Sequence, residues 1–159
     1  LLFLRNVVPG AETKKMSTKE YSVATEVGGK SWTFATGKLA MQSNGSVLVT
    51  VGDTVVMATV VMSEKVREGI DYLPLLVDYE EKLYAAGKIK GSRWVKREGR
   101  PSDEAILSGR VIDRSLRPMF DGHIRNDIQV VVTTLSVDGE NDPDIIGLNA
   151  AAAAIARIP

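Results

Sequence analysis

Alternation of apolar and polar positions predicts antiparallel β-structure in the first half of the chain. Two pairs of alternating segments are each joined by a glycine-containing dipeptide, Gly28-Gly29 in the first pair and Gly52-Asp53 in the second. Dipeptides of this kind are typical of tight turns between antiparallel neighbours. We therefore predict two β-hairpins, with strands over Tyr21–Val27, Ser31–Ala35, Ser46–Val51 and Thr54–Met62.

The middle of the chain predicts a strand, a long loop and a helix. Leu73–Tyr79 is rich in leucine and valine and predicts a fifth strand. Lys82–Arg100 shows neither the apolar period of a helix nor that of a strand, and it predicts a loop. The helix is predicted to begin after the capping residue Ser102 and to run to about Arg117, before Pro118. Its core face is predicted from spacings of three and four residues, at Ala105, Gly109, Ile112 and Leu116.

A further strand and helix complete the pattern. Asp127–Val137 is almost wholly apolar and predicts a strand that is buried on both faces. The second helix is predicted to have Asp142 as its cap, Pro143 in its first turn, and the small residues Ala150–Ala154 close to a sheet. Hairpins followed by strand, helix, strand and helix predict an α+β fold, an α/β sandwich around one core.

Composition narrows the possible chemistry. Apolar residues make up 44% and charged residues 25% of the 159 residues, as in one globular domain. The lack of cysteine excludes disulfides and thiolate zinc sites, and a single histidine, His123, argues against a Ser-His-Asp triad. No apolar run reaches about 18 residues, so no membrane partner is predicted. The acidic residues from 138 to 144 surround a turn and a helix start, so no metal site is predicted there.

Both ends of the chain indicate a piece of a longer protein. The apolar run Leu1–Leu4 is too short for the core of a signal peptide, and we interpret residues 1–15 as a leader or a non-native extension before Met16. The chain closes at Pro159 directly after an alanine-rich helix, where another strand is expected. We therefore expect residues 16–159 to be one domain that is truncated at its C-terminus.

Charge is distributed unevenly although the chain has 20 basic and 20 acidic residues. Between positions 82 and 117 there are ten basic residues against four acidic ones. Lysines and arginines concentrated among glycines favour a polyanion, most simply the phosphates of a nucleic acid or a nucleotide. The ten are Lys82, Lys88, Lys90, Arg93, Lys96, Arg97, Arg100, Arg110, Arg114 and Arg117.

Two features of this basic segment leave alternatives open. Trp94 lies among the cations, where it could stack on a base of a single-stranded nucleic acid or anchor the loop on the core. Arg110, Arg114 and Arg117 share one face of the predicted helix. That face could surround a bound anion, or its arginines could pair with nearby carboxylates.

Longer motifs identify the segment more closely. YAAGKI (residues 84–89), KREGRPS (96–102) and ID-R-x-x-RP-x-F (112–120) are far longer than chance patterns and stand in the order of one family. From Tyr21 to Pro159 the chain resembles the first RNase PH-like domain of the bacterial polynucleotide phosphorylase family. The resemblance implies an RNase PH-like fold, of the ribosomal protein S5 domain 2-like type, that is incomplete at its C-terminus.

The resemblance implies a phosphorolytic 3′-to-5′ exoribonuclease of mRNA degradation, a polyribonucleotide nucleotidyltransferase. In this family inorganic phosphate attacks the 3′ end of single-stranded RNA and reversibly releases nucleoside diphosphates. The family also implies a cytoplasmic homotrimer, Mg²⁺ and inorganic phosphate in the full-length enzyme, and RNA degradosome components as partners. Its phosphate and magnesium ligands lie in a second RNase PH-like domain, so this fragment alone is expected to be catalytically inactive.

The resemblance also assigns roles to individual side chains. RNA-binding residues are expected at Arg93, Trp94, Lys96, Arg97 and Arg100. The family's loop carries two adjacent aromatics followed by two arginines, and RWVKR stands in their place, so one stacking ring is lost or moved. Arg110 and Arg114 are expected to line the active site that the second domain builds.

Three alternatives accompany this interpretation. One is an RNase PH-like tRNA 3′-processing enzyme, which shares the fold and the second hairpin but lacks the basic loop. Another is a stand-alone RNA-binding module without chemistry. A third is a ring subunit whose arginines pair with acidic residues of a neighbour.

Overall fold

The computed structural model describes residues 19–89 and 100–158. In this part of the chain six strands and two helices follow in the predicted order. The strands are β1 (Tyr21–Val27), β2 (Lys30–Thr36), β3 (Gly45–Val51), β4 (Thr54–Val66), β5 (Leu75–Glu80) and β6 (Asn126–Ser136). The helices are α1 (Asp103–Leu116) and α2 (Pro143–Ile155), and short 3-10 turns cover Leu83–Ala86 and Arg117–Met119. The predicted leader, residues 1–15, lies outside the described residues and stays a prediction.

The six strands of the described chain form one sheet in the order β1-β2-β3-β4-β6-β5. Neighbours are antiparallel except β5 and β6, which run parallel with Leu75 opposite Ile128. Both predicted hairpins are confirmed. Gly28 and Gly29 turn the first one with φ values of +60° and +76°, a conformation that glycine adopts without steric cost.

The core lies between one face of the sheet and the two helices. Alternate residues of β3 and β4 are buried completely, including Val49, Val56 and Val60, each with 0% exposure. Ala150 and Ala154 of α2 are buried equally well, and their small side chains let the helix lie close to the sheet. The predicted α/β sandwich around one core is confirmed.

β6 is buried on one face only, so the expectation of burial on both faces is wrong. Ile128, Val130 and Val132 lie on the helix side and are at most 2% exposed. On the other side Gln129 is exposed and Val131 is half-buried. The helices of the described chain cover one side of the sheet, and an apolar run cannot reveal how many layers pack on it.

Both helices begin at the predicted capping residues. Ser102 Oγ accepts a hydrogen bond from the Ala105 amide at 3.0 Å, and Asp142 Oδ1 accepts one from the Asp144 amide at 3.0 Å. These bonds satisfy amides that the first turn of a helix leaves without partners. The predicted core face of α1 is also confirmed, since its members are all buried: Ala105, Gly109, Ile112 and Leu116.

Two glycines allow both helices to pack around Tyr79 of β5. A Cβ atom on Gly109 of α1 would lie 3.6 Å from the Tyr79 Cβ and 3.5 Å from the Val77 carbonyl oxygen. A Cβ on Gly147 of α2 would lie 2.9 Å from Val132 Cγ1 and 3.4 Å from the Tyr79 ring. α1 therefore lies directly against the outer edge of β5, and α2 closes over the same tyrosine.

Asp138 fastens the β3–β4 turn to the turn between β6 and α2. Its Oδ1 accepts hydrogen bonds from the Asn141 and Glu140 amides, each at 2.8 Å, and its Oδ2 accepts one from the Asp53 amide at 3.3 Å. The Asn141 amide is the main cause that holds the pKa of Asp138 well below its ordinary value, and the Glu140 amide adds to it. The two turns therefore stabilise the charged carboxylate.

Asp138→Asn is expected to make the free energy of unfolding depend less on pH in the acidic range. Because the folded-state pKa is depressed, the stabilisation is fully present above the ordinary aspartate pKa of about 3.9 and is lost as pH falls toward the folded-state pKa. Urea unfolding at pH 7 and pH 3 should show a larger difference between the variant and the parent at pH 7. Asp71→Asn, at an exposed carboxylate, is the control, and equal behaviour of the two variants would contradict the assignment.

Candidate nucleic-acid interface

The basic residues of α1, Arg110 and Arg114, lie on the outer face of this helix. Ser102 fixes where the helix begins, and the buried stripe fixes which side faces the sheet. Residues outside that stripe face away from the core, and both Arg110 and Arg114 are exposed. They are four residues apart and therefore lie on the same side of the helix, about one turn from each other.

Arg117 is an anchor of the fold. Its guanidinium pairs with Asp113 in two contacts, Nη2 to Oδ1 at 2.6 Å and Nε to Oδ2 at 3.1 Å. The same group donates to the carbonyl oxygens of Leu73 and Leu75, both at 3.1 Å. Of the two alternatives for the three arginines, pairing with a carboxylate is the one that applies to Arg117. Arg117 therefore ties the end of α1 to the start of β5.

Arg110 and Arg114 differ from Arg117 in their contacts. Within residues 19–89 and 100–158, neither side chain forms an ion pair or a hydrogen bond. Asp103, in the first turn of the same helix, forms no ion pair with either of them. Both guanidiniums can therefore present all their donors to an external anion, and such forks match the oxygens of a phosphate.

Apolar side chains accompany the two arginines, and the sequence pattern alone did not single them out. Ile106, Leu107 and Val111 on the outer side of α1 are 49%, 62% and 58% exposed. Their positions could have been found from the helical period, because they fall outside the predicted core stripe. The outer face of α1 is thus a mixed surface, able to contact a nucleotide base, a sugar or a second protein surface as well as phosphate.

Two grooves border the same region. One, of about 370 Å³, runs between α1 and β5, and Arg110, Asp113 and Arg117 lie along it. The other, of about 600 Å³, lies where the chain enters and leaves residues 90–99, and both Lys88 and Arg100 line it. Its lining combines apolar side chains with charges of both signs, since Glu80 and Glu81 lie beside Lys88 and Arg100.

The predicted RNA-binding set is described only in part. Arg93, Trp94, Lys96 and Arg97 lie outside the described residues, so both interpretations of Trp94 stay open. Arg100 is exposed at the start of the region that leads into α1. Next to it, Ser102 Oγ donates to Glu81 Oε2 at 2.8 Å, which joins the chain before and after the loop.

The acidic side chains of the described chain do not form a metal site. In the ranges 19–89 and 100–158, no three His, Asp or Glu side chains lie together as a metal-binding group. Asp138 and Asp142 instead accept backbone hydrogen bonds. No helix of the described chain is long and apolar enough to cross a membrane.

Comparison with protein families gives the class of protein to which this fold belongs. The model of the 3′ exoribonuclease family, domain 1, matches residues 28–158. Because the match covers most of the chain, the chain belongs to the 3′ exoribonuclease family. Among solved structures, the Archaeoglobus fulgidus exosome with RNA bound to the active site is similar in fold, with a TM-score of 0.59 at 22% identity. That similarity covers 88% of this chain and 51% of the exosome chain, and it confirms the predicted RNase PH-like fold.

Curated relatives point to one enzyme within the family. The polyribonucleotide nucleotidyltransferase of Desulforamulus reducens is 53% identical over 135 residues, covering 84% of this chain and 18% of the relative. That of a Bradyrhizobium species is 54% identical over 140 residues, covering 88% of this chain and 19% of the relative. The resemblance to the polynucleotide phosphorylase family is confirmed. The chain spans about a fifth of the length of these relatives.

Arg117→Gln is expected to destabilise the fold by about 1–2 kcal/mol, because it removes charge-assisted hydrogen bonds that join α1 to β5. Arg114→Gln, in the same helix but without such contacts, is the matched control and should change stability by less than about 0.5 kcal/mol. Urea unfolding monitored by circular dichroism measures both. Equal destabilisation by the two variants would show that the distinction between these arginines is wrong.

Proposed function

We propose that this chain is the RNA-guiding domain of a phosphorolytic 3′-to-5′ exoribonuclease that degrades single-stranded RNA with inorganic phosphate. The observation that carries the proposal is the pair Arg110 and Arg114, exposed and unpaired within the described residues, while Arg117 in the next turn makes four hydrogen bonds. The family and the names of the curated relatives support this class of reaction.

Phosphorolysis brings two negatively charged groups together. An oxygen of inorganic phosphate bonds to the terminal phosphorus of the RNA, and the bond from that phosphorus to the 3′ oxygen of the preceding nucleotide breaks. The released 3′ oxygen takes up a proton, and a nucleoside diphosphate leaves. Arg110 and Arg114 would hold the RNA phosphate or the attacking phosphate and offset the repulsion between them.

The complete enzyme is proposed to use Mg²⁺ and inorganic phosphate. The described residues offer no set of acidic ligands for Mg²⁺, so we assign the metal to another part of the enzyme. Bound Mg²⁺ would supply charge neutralisation at the reacting phosphates. We further propose a cytoplasmic homotrimer that works with RNA degradosome components.

The basic loop is proposed to grip the RNA strand before it reaches the active site. Lys88 and Arg100 are exposed at the two ends of residues 90–99 and line one groove, together with Glu80 and Glu81, so they could supply cations where the strand enters. Lys96 and Arg97 would hold the backbone and Trp94 would stack on a base.

One observation favours a second candidate. The exposed Ile106, Leu107 and Val111 beside the two arginines are suited to contact with another protein, as in a ring subunit whose arginines pair with a neighbour's acids. The two candidates differ in their response to RNA, because only the first requires RNA affinity to depend on Arg110 and Arg114.

Replacing Arg110 and Arg114 by Gln is expected to weaken binding of a single-stranded oligoadenylate to the chain. The slope of log affinity against log salt should fall by about 0.7 for each phosphate that an arginine no longer neutralises. Fluorescence anisotropy titrations at several salt concentrations measure the slope. Lys96→Ala with Arg97→Ala should have the same effect if the loop grips RNA.

The control for this experiment is Arg67→Gln, which removes the same charge from an exposed arginine that pairs with Asp127 at 3.3 Å. Its salt slope should match that of the parent chain. An unchanged slope in both the α1 and the loop variants would refute RNA guidance by this surface and favour the assembly candidate.

The 159-residue chain alone is expected to release no nucleoside diphosphate from polyadenylate in the presence of phosphate and Mg²⁺. The reason is that the resemblance places the phosphate and magnesium ligands of the family in a second domain, and no three His, Asp or Glu side chains of the described residues lie together as a metal-binding group. Chromatography of the products after prolonged incubation measures release. Phosphate-dependent release of adenosine diphosphate would show that the chain carries a complete site.

A further inference from the structure

A partly buried polar contact joins the two helices. Ser108 lies on the buried side of α1 with 9% exposure, and its Oγ donates to Asp144 Oδ2 at 2.5 Å. Asp144 belongs to the first turn of α2, where the helix dipole favours a carboxylate. The contact therefore connects the middle of α1 with the fixed start of α2.

The same carboxylate lies above a buried tyrosine. Tyr79 of β5 is 3% exposed, and its hydroxyl accepts a hydrogen bond from Thr134 Oγ1 of β6 at 3.1 Å. Burial raises the pKa of the Tyr79 phenol above its ordinary value, and the nearby Asp144 raises it further. The phenol therefore stays protonated. Tyr79, Ser108, Thr134 and Asp144 form one polar cluster, and α1, α2, β5 and β6 meet at it.

The geometry of α1 relates this cluster to the arginines. Arg110 follows Ser108 by two residues, so the two side chains lie about 200° apart around the helix. Any rotation of α1 that moves Ser108 away from Asp144 must also turn Arg110 and Arg114 away from their present direction. The contact of Ser108 with Asp144 on the inner side of the helix is thus linked to the direction in which Arg110 and Arg114 point on the outer side.

Apolar packing restrains this rotation unevenly along α1. Ile112 and Leu116 are buried in the core and hold the second half of the helix, whereas Ala105 and Gly109, in the first half, have no long side chain to interlock with the sheet. Hydrophobic contacts are also non-directional, whereas a hydrogen bond weakens steeply when its angle departs from linear. The bond between Ser108 and Asp144 adds a directional restraint in the first half of the helix.

We propose that Asp144, acting through Ser108, is a positioning residue that sets the rotation of α1 and thereby aims Arg110 and Arg114 at the phosphates of bound RNA. The inference rests on the proposed function of those two arginines. Its consequence is that RNA affinity depends on two side chains that RNA does not touch.

The chain offers a matched control on the same helix. Ser115 Oγ donates to the Val111 carbonyl at 2.9 Å, four residues earlier. Ser108 Oγ lies 3.0 Å from the corresponding Glu104 carbonyl, which shares the single hydroxyl hydrogen of Ser108 with Asp144. Ser115 is exposed and has no carboxylate partner among the described residues. Ser115→Ala therefore removes the same local bond as Ser108→Ala without breaking the contact to α2.

The test is a double-mutant cycle on oligoadenylate binding, measured by anisotropy over a series of salt concentrations. Ser108→Ala should weaken binding roughly threefold to tenfold and reduce the salt slope in the parent chain. It should have no further effect in the Arg110→Gln/Arg114→Gln chain, and Ser115→Ala should have none in either. Asp144→Asn, which keeps an acceptor oxygen, should weaken binding less than Ser108→Ala.

The outcomes separate the two proposals. If the arginine variants weaken binding but Ser108→Ala either has no effect or weakens binding equally in both backgrounds, the positioning role is wrong and RNA guidance stands. If the arginine variants leave binding unchanged, RNA guidance by α1 fails and the positioning role fails with it. Circular dichroism checks that each variant is folded at the assay temperature. If Ser108→Ala does not fold, Asp144→Asn replaces it in the cycle: weaker binding confined to the parent chain supports the positioning role, and unchanged or equally weakened binding in both backgrounds overturns it.

Discussion

Burial of one sheet face beneath two helices determines what the rest of the surface can do. The alternating valines of β3 and β4 supply an apolar face that α2 covers, and α1 packs against β5 at the edge of the same sheet. Because Ile112 and Leu116 of α1 are buried in the core, the helical period places Arg110 and Arg114 on the outer side of the helix. The arginine pair is exposed as a consequence of how the core is packed.

The arginines in and directly after α1 differ in what they do for the fold, since Arg117 is bonded to it and Arg110 and Arg114 are exposed. Arg117 satisfies the carbonyl oxygens of Leu73 and Leu75 at the edge of β5 and is held by Asp113. With Gly109 placing α1 against the same strand, these contacts cover part of the outer edge of β5. An exposed edge invites pairing with other chains, so this cover also restricts where the domain can associate.

The features that the sequence predicts well are those set by neighbouring residues. The hairpin at Gly28-Gly29 and the cap at Ser102 depend on local backbone geometry, and the structure has them where the pattern indicates. The one-sided burial of β6 and the contact between Ser108 and Asp144 depend on residues far apart in the chain. For the site, the sequence predicted a basic segment, but it could not tell Arg117 from Arg114, because only the fold brings the Leu73 carbonyl within reach.

The energetics of the exposed pair agree with the proposal that this surface binds an anion. Two like charges four residues apart in a helix cost roughly 0.2–0.5 kcal/mol, which a folded domain tolerates easily. A charge-assisted hydrogen bond from a guanidinium to a phosphate contributes about 1.5–3 kcal/mol. The gain on binding therefore exceeds the cost of leaving Arg110 and Arg114 without carboxylate partners. A carboxylate placed beside them, as Asp113 is beside Arg117, would have to be displaced before any phosphate could bind, and most of that gain would be lost.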